Sequence, residues 1–154
     1  CTPGTLDPGL GTMKGCNSEC MNGQPMKADL ERILGMEIAI ANDADCFALA
    51  EDRMGVVKEK FPKAQVVFGV IMGTGVGGGI VVENKVIYGL QGIAGEWGHN
   101  FLDASGGPCY CGKSGCVEKV ISGPDLERFY LKQSGNKLKL KEIYQLYKAG
   151  TDPH

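Results

Sequence analysis

The segment HNFLDASGGPCYCGKSGC sets His99 ahead of Cys109 with nine residues between them, and Cys111 and Cys116 close behind. Three thiolates and one imidazole form a Cys₃His set, which suits tetrahedral zinc. A Cys-x-Cys pair brings two sulfurs to one side of an ion, and Gly112 and Gly115 let the backbone double back to deliver the third. The competing reading is a group of ordinary buried thiols, but free cysteines are usually scattered rather than crowded beside a histidine. All four ligands are protein atoms, so the zinc is expected to be structural, contributing folding energy on the order of 10 kcal/mol rather than activating water. A loop so clamped fixes its neighbours, and the rest of the fold must accommodate it.

The chain of 154 residues, 43% hydrophobic and 22% charged, can bury one ordinary core. A net charge of -2 without a Lys/Arg-dense segment argues against affinity for nucleic acid or a membrane surface and favours a small polar ligand. Seven cysteines, an odd number unevenly spaced, point to a reducing cytoplasm rather than a disulfide scaffold. No run of about 18 apolar residues and no signal-peptide pattern is found. The chain opens at Cys1 in CTPGTLDPG, a loop-like start that is expected of a fragment.

Glycine and proline dominate residues 1–26, which suit loops with a short extended excursion. KADLERILG predicts a short helix with Leu30, Ile33 and Leu34 on one face and Gly35 as its stop. EIAIA (37–41) predicts a buried strand running into a helix over NDADCFALAEDRM, with Phe47, Ala50 and Met54 on its inner face. Residues 65–72, 78–84 and 85–89 predict an antiparallel meander with a tight turn near Asn84. Two amphipathic helices follow from Ser122 onward, one bearing Leu126, Phe129 and Tyr130, the other Leu140, Ile143, Tyr144 and Tyr147. The charged, proline-bearing segment 56–65 is the candidate hinge between a lobe ending at residue 55 and another starting at 56.

Asp43 stands at a strand-to-helix junction, where an α/β sheet opens onto a ligand crevice and a general base is useful. The plainer reading is that Asn42 or Asp43 caps the helix. GTGVGGG (73–79) removes side chains, so that backbone N–H groups and the Thr74 hydroxyl can approach phosphate oxygens; a glycine-rich hairpin turn explains it equally well. Glu96 and Glu118 bracket the metal loop, and acceptors held there suit sugar hydroxyls, though either could be a solvated surface charge. Trp97 reads as packing rather than stacking.

Taken in order, NDAD, GTGVGGG, GEWGH and CYCGKSGCVE resemble the ROK family of repressors, open reading frames and hexose kinases. The resemblance covers essentially the whole chain, from TPG through NSECMNGQP to ISGPDLER. It implies an α/β, actin-like ATPase (ribonuclease H-like) fold, present in part, with residues 1–55 ending one lobe and 56–154 starting the next. It implies transfer of the γ-phosphoryl of ATP, with Mg²⁺, to a hexose hydroxyl. By the same resemblance Asp43 is the base, Asn42 binds neighbouring hydroxyls, and Glu96, His99 and Glu118 grip the far side of the ring. Gly73, Thr74 and Gly75 touch phosphate. One nitrogen of His99 ligates zinc while the other donates to a sugar oxygen.

Family kinases also carry a first phosphate loop of the Asp-x-Gly-Gly-Thr type and further helices around adenosine, neither of which occurs in residues 1–154. The isolated chain is therefore expected to be inactive, and the activity to belong to the parent protein, a cytoplasmic homodimer by family habit. NSECMNGQP most resembles fructokinase or mannokinase members, with glucose and N-acetylglucosamine open. The alternatives are a sugar-sensing ROK repressor, which needs neither base nor phosphate turn, and a zinc-stabilised interaction module without sugar chemistry.

Overall fold

The computed structural model describes residues 1–151. It divides into two compact units, one formed by residues 1–70 and 78–96, the other by residues 71–77 and the chain from Trp97 onward. Its class is α/β, as expected.

In the first unit the extended excursion is a small antiparallel ribbon, β1 (Thr5–Leu6) against β2 (Met13–Lys14), with Leu6 opposite Met13. Asp7 closes it, accepting from the N–H groups of Gly9 (2.8 Å) and Leu10 (3.0 Å) and pairing with Lys14. Helix α1 (Met26–Leu34) stops where expected, at Gly35 in the left-handed conformation (φ 64°), a region glycine enters without steric cost. Among the described residues its apolar face is only partly covered: Leu30 is half-buried, whereas Ile33 and Leu34 are exposed.

Residues 37–41 are not the buried strand that alternation predicts. Thr2 N–H bonds to Ala41 O at 3.1 Å and Thr2 bridges Asn42, with no continuous ladder among the described residues. An apolar run becomes a strand only where another backbone takes up its hydrogen bonds.

Helix α2 (Asp43–Arg53) forms as expected but turns a different face inward. Ala44 and Ala48 are buried, whereas Met54 beyond its end is 83% exposed. The cause lies in the strands. The meander consists of β3 (Val66–Met72), β4 (Val76–Val82) and β5 (Lys85–Val86), in that order across the sheet. A Cβ on Gly69 would meet the Ala48 Cβ at 2.7 Å, and one on Gly79 would meet Ala44 O at 2.6 Å. Helix and strands thus approach at backbone range, and only alanines opposite glycines fit. Gly79→Ala should cost about 3 kcal/mol through overpacking, read as a lowered denaturation midpoint; an unchanged midpoint would refute this close approach.

The turn between β4 and β5 is Glu83–Asn84, both with positive φ (48° and 61°), as a type I′ hairpin requires. The candidate hinge at 56–65 holds a short helix, α3 (Val56–Lys60), and lies within the first unit.

In the second unit α4 (Glu118–Ile121) leads into α5 (Gly123–Ser134), which has Pro124 in its first turn and Gly135 at its end (φ 75°). Asp125, buried at the start of α5, accepts from the Ser122 hydroxyl at 2.7 Å and pairs with Lys119 and Arg128. Burial alone would raise its pKa, but the Ser122 hydrogen bond and the two cations overcome this and hold the carboxyl below its ordinary value. Glu127 accepts from Leu140 N–H at 3.0 Å and so ties α5 to α6 (Leu140–Ala149). Of the residues expected to face inward, Tyr130 is buried, while Phe129, Tyr144 and Tyr147 are exposed.

Candidate functional site

The four-donor loop is built by a narrow ladder of backbone bonds within the second unit. Glu118 N–H bonds to Gly98 O and Val117 N–H to Asn100 O, both at 2.9 Å, and Phe101 bridges Cys116. Further out, Leu102 N–H bonds to Gly115 O at 2.7 Å and Pro108 bridges Ser114. The ladder folds residues 98–118 back on themselves, which brings His99 beside Cys116 and turns the Cys109–Cys111 tip inward. Gly112 and Gly115 make the reversal with φ of 86° and 74°, as their spacing implies.

Within this loop the ligand atoms of His99, Cys109, Cys111 and Cys116 all lie within 4.8 Å of one another. Cys111 Sγ and Cys116 Sγ are 3.6 Å apart, and Cys109 Sγ is 3.5 Å from His99 Nδ1. A tetrahedral zinc with Zn–S bonds of about 2.3 Å needs S···S edges of about 3.8 Å, so the donor set fits such an ion. The thiols differ in character. A backbone hydrogen bond from Lys113 holds the Cys111 pKa below its ordinary value, whereas burial, followed by the crowding of the neighbouring sulfurs, pushes that of Cys116 up.

His99 Nε2, the nitrogen expected to face a sugar, lies 3.0 Å from the hydroxyl of Tyr110, a residue that spacing gave no reason to single out. Glu118 is also engaged: its Oε2 accepts from Val76 N–H at 3.0 Å, at the start of β4. A Cβ on Gly75 would meet that same oxygen at 2.6 Å. One on Gly98 would run into Val76 O. The glycines of GEWGH are therefore packing residues, and Trp97 anchors the segment by donating from Nε1 to Gly77 O at 3.1 Å.

The GTGVGGG run serves two purposes. Gly73, Thr74 and Gly75 form the turn, with Gly73 N–H bonded to Gly75 O at 2.9 Å and Gly73 O accepting from Gly123 N–H at 2.8 Å. Gly77, Gly78 and Gly79 lie inside β4 instead, and at Gly79 the close backbone of Ala44 excludes a side chain. Gly73 and Thr74 open onto a cleft of about 710 Å³, lined also by Ile121, Pro124, Leu126 and Leu140.

In the first unit Asn42 is the cap of α2, accepting from Ala44 N–H at 2.8 Å, so the plainer reading of this residue holds. Asp43 follows it, exposed at the first turn. Asp45, in the same first turn and 6% exposed, was not foreseen because the second acid in NDAD looks like a surface charge. Burial, then the charges of Glu96 and Asp43, raise its pKa to about 6. Two further carboxylates of this unit, Asp43 and Glu96, are thus within electrostatic reach of Asp45.

A raised carboxyl pKa means that the native state binds the extra proton, so this group's stabilising effect is full below about pH 4 and is lost as pH rises to about 6. Asp45→Asn should therefore stabilise the protein above pH 7 by on the order of 2–3 kcal/mol and leave it unchanged near pH 4. Denaturation midpoints at the two pH values check this, and equal effects at both would refute the assignment.

Comparison with known proteins bears on these residues together. Residues 1–153 match the model of the ROK family. The N-acetyl-D-glucosamine kinase of Vibrio atlanticus is 40% identical over 96% of this chain and 51% of its own length, so the chain spans about half of that relative. Among solved structures, the ROK hexokinase of Thermus thermophilus superposes with a TM-score of 0.80 at 32% identity, covering 98% of this chain and 48% of that one. A ROK glucokinase from Streptomyces griseus, in complex with glucose and AMPPNP, gives 0.68 at 30% identity over 86% of this chain and 41% of its own. On this match, which runs through all four motifs, the chain belongs to the ROK family.

Proposed function

We propose that the parent protein is an ATP-dependent sugar kinase of the actin-like type, and that residues 1–55 end its amino-terminal lobe while 56–154 begin the next. The observation that carries this reading is that Gly73 and Thr74 of the glycine turn line a cleft of about 710 Å³, a size that suits a nucleotide. ATP with Mg²⁺ supplies the phosphoryl group, and the chain's part is positioning and proton removal. Asp43 takes the proton from the attacking hydroxyl. Asn42, Glu96, His99 and Glu118 are the sugar-binding set that the family resemblance assigns. Of these, Asn42 and Glu118 already hold backbone N–H groups, at Ala44 and Val76, so their orientation is fixed before any ligand arrives. His99, Cys109, Cys111 and Cys116 hold a structural Zn²⁺. The protein acts as a cytoplasmic homodimer, by family habit.

N-acetylglucosamine is the first sugar to test, since the Vibrio relative is a kinase of that sugar. Fructose, mannose and glucose follow. The segment NSECMNGQP, which suggests fructose or mannose, holds Asn22 bonded back onto the Cys16 backbone: its Oδ1 accepts from Cys16 N–H at 2.8 Å and its Nδ2 donates to Cys16 O at 3.1 Å. Asn22 therefore shapes a loop. A coupled assay of ADP release by the full-length protein over these four sugars is expected to give turnover with N-acetylglucosamine. Sugar binding by calorimetry without turnover would replace the kinase with the sensor reading. Neither binding nor turnover would leave a metal-stabilised interaction module.

A further inference from the structure

Tyr110 has no part in the chemistry proposed above, yet it sits on one of its principal groups. Its hydroxyl lies 3.0 Å from His99 Nε2, with the rings edge to face at 5.0 Å between centroids. The opposite ring nitrogen, Nδ1, faces the sulfurs, 3.5 Å from Cys109 Sγ. An imidazole that offers its Nδ1 lone pair to a cation keeps its proton on Nε2, and that proton needs an acceptor. The side chain between the two ligating cysteines of the tip supplies one while remaining 75% exposed.

Resting on the zinc site and sugar-binding role proposed above, we infer that the Tyr110 hydroxyl is the resident acceptor of the His99 Nε2 proton, and that a sugar hydroxyl replaces it there. Tyr110 is then a positioning residue. With no sugar bound it holds the tautomer and ring orientation that the metal requires. When sugar arrives it yields, because an exposed phenol can exchange one partner for water at small cost. A buried partner in the same place would fix the ring but could not be displaced.

The test uses the full-length, zinc-loaded protein and its Tyr110→Phe variant, which keeps the ring and its edge contact but loses the hydroxyl. Zinc transfer to a chromogenic chelator is followed with and without saturating N-acetylglucosamine, alongside steady-state kinetics. Without sugar, Y110F should release zinc roughly fivefold faster, the effect of one exposed hydrogen bond. Saturating sugar should bring the two release rates together, and KM for sugar should fall severalfold with kcat unchanged. Tyr110→Ala should match Y110F within about twofold, which separates the hydroxyl from ring packing. Equal release rates in sugar-free wild type and Y110F would overturn the acceptor role, and a rate difference that survives saturating sugar would overturn the exchange. Unmodified protein that binds no zinc would instead sink the metal site, and this inference with it.

Discussion

Cys116→Ser is expected to strip the zinc proposed for the four-donor loop and dissolve the ladder between residues 98 and 118. Cys116 is fully buried, and its sulfur lies 3.6 Å from Cys111 Sγ and 3.6 Å from His99 O. A serine oxygen on a shorter bond, protonated at neutral pH, is a poor donor to a soft-ligand zinc site. Binding energy at such a site is folding energy, on the order of 10 kcal/mol, so losing one thiolate should weaken metal binding by at least ~100-fold. Elemental analysis after exposure to a mild chelator should show zinc fall from one per chain to near none. Hydrogen exchange should lose protection at the N–H groups of Leu102, Cys109, Gly115 and Val117, which close the ladder, and keep it along α5. Cys20→Ser, at an exposed cysteine outside the loop, is the control and should change neither. Retention of a full equivalent of zinc by C116S would end the case for a four-ligand centre.

The second large effect belongs to Asp43→Asn in the full-length protein, where sugar-dependent turnover should drop by roughly 10²–10⁴ with KM changed little. The substitution separates chemistry from architecture. Helix α2 keeps its cap, because Asn42 already accepts from Ala44 N–H at 2.8 Å, and the amide oxygen of the substituted side chain can take over the contact that Asp43 Oδ1 makes with the same N–H at 2.9 Å. Stability should therefore stay within about 0.5 kcal/mol of wild type. Activity above a tenth of wild type in this variant would show that another group removes the proton.

What could be read from the sequence is what residue identity encodes locally. The juxtaposition of His99, Cys109, Cys111 and Cys116 followed from ligand type and spacing. Gly35 and the Glu83–Asn84 turn followed from the conformations that few residues adopt. Features that depend on partners far along the chain were not legible. EIAIA looks like a strand because alternation reports side-chain burial, but it says nothing of a neighbouring backbone. Counting large apolar residues put Phe47 and Met54 on the inner face of α2, whereas Gly69 and Gly79, well downstream in the strands, selected Ala44 and Ala48. The same blindness hid Asp45, whose pKa is raised by burial and by the charge of Glu96, far along the chain. It hid Tyr110 too, since a residue between two ligands gives no sign of which way its ring turns.

The hydrogen bond from Val76 N–H to Glu118 has a thermodynamic corollary. Glu118 stands two residues beyond Cys116, and Val76 begins its strand one residue after the Gly73–Gly75 turn. Whatever stiffens one end of this short crosslink lowers the entropic cost of ordering the other, and such coupling is reciprocal. If the turn holds a nucleotide and the loop a cation, as proposed, each should tighten the equilibrium binding of the other by the same factor.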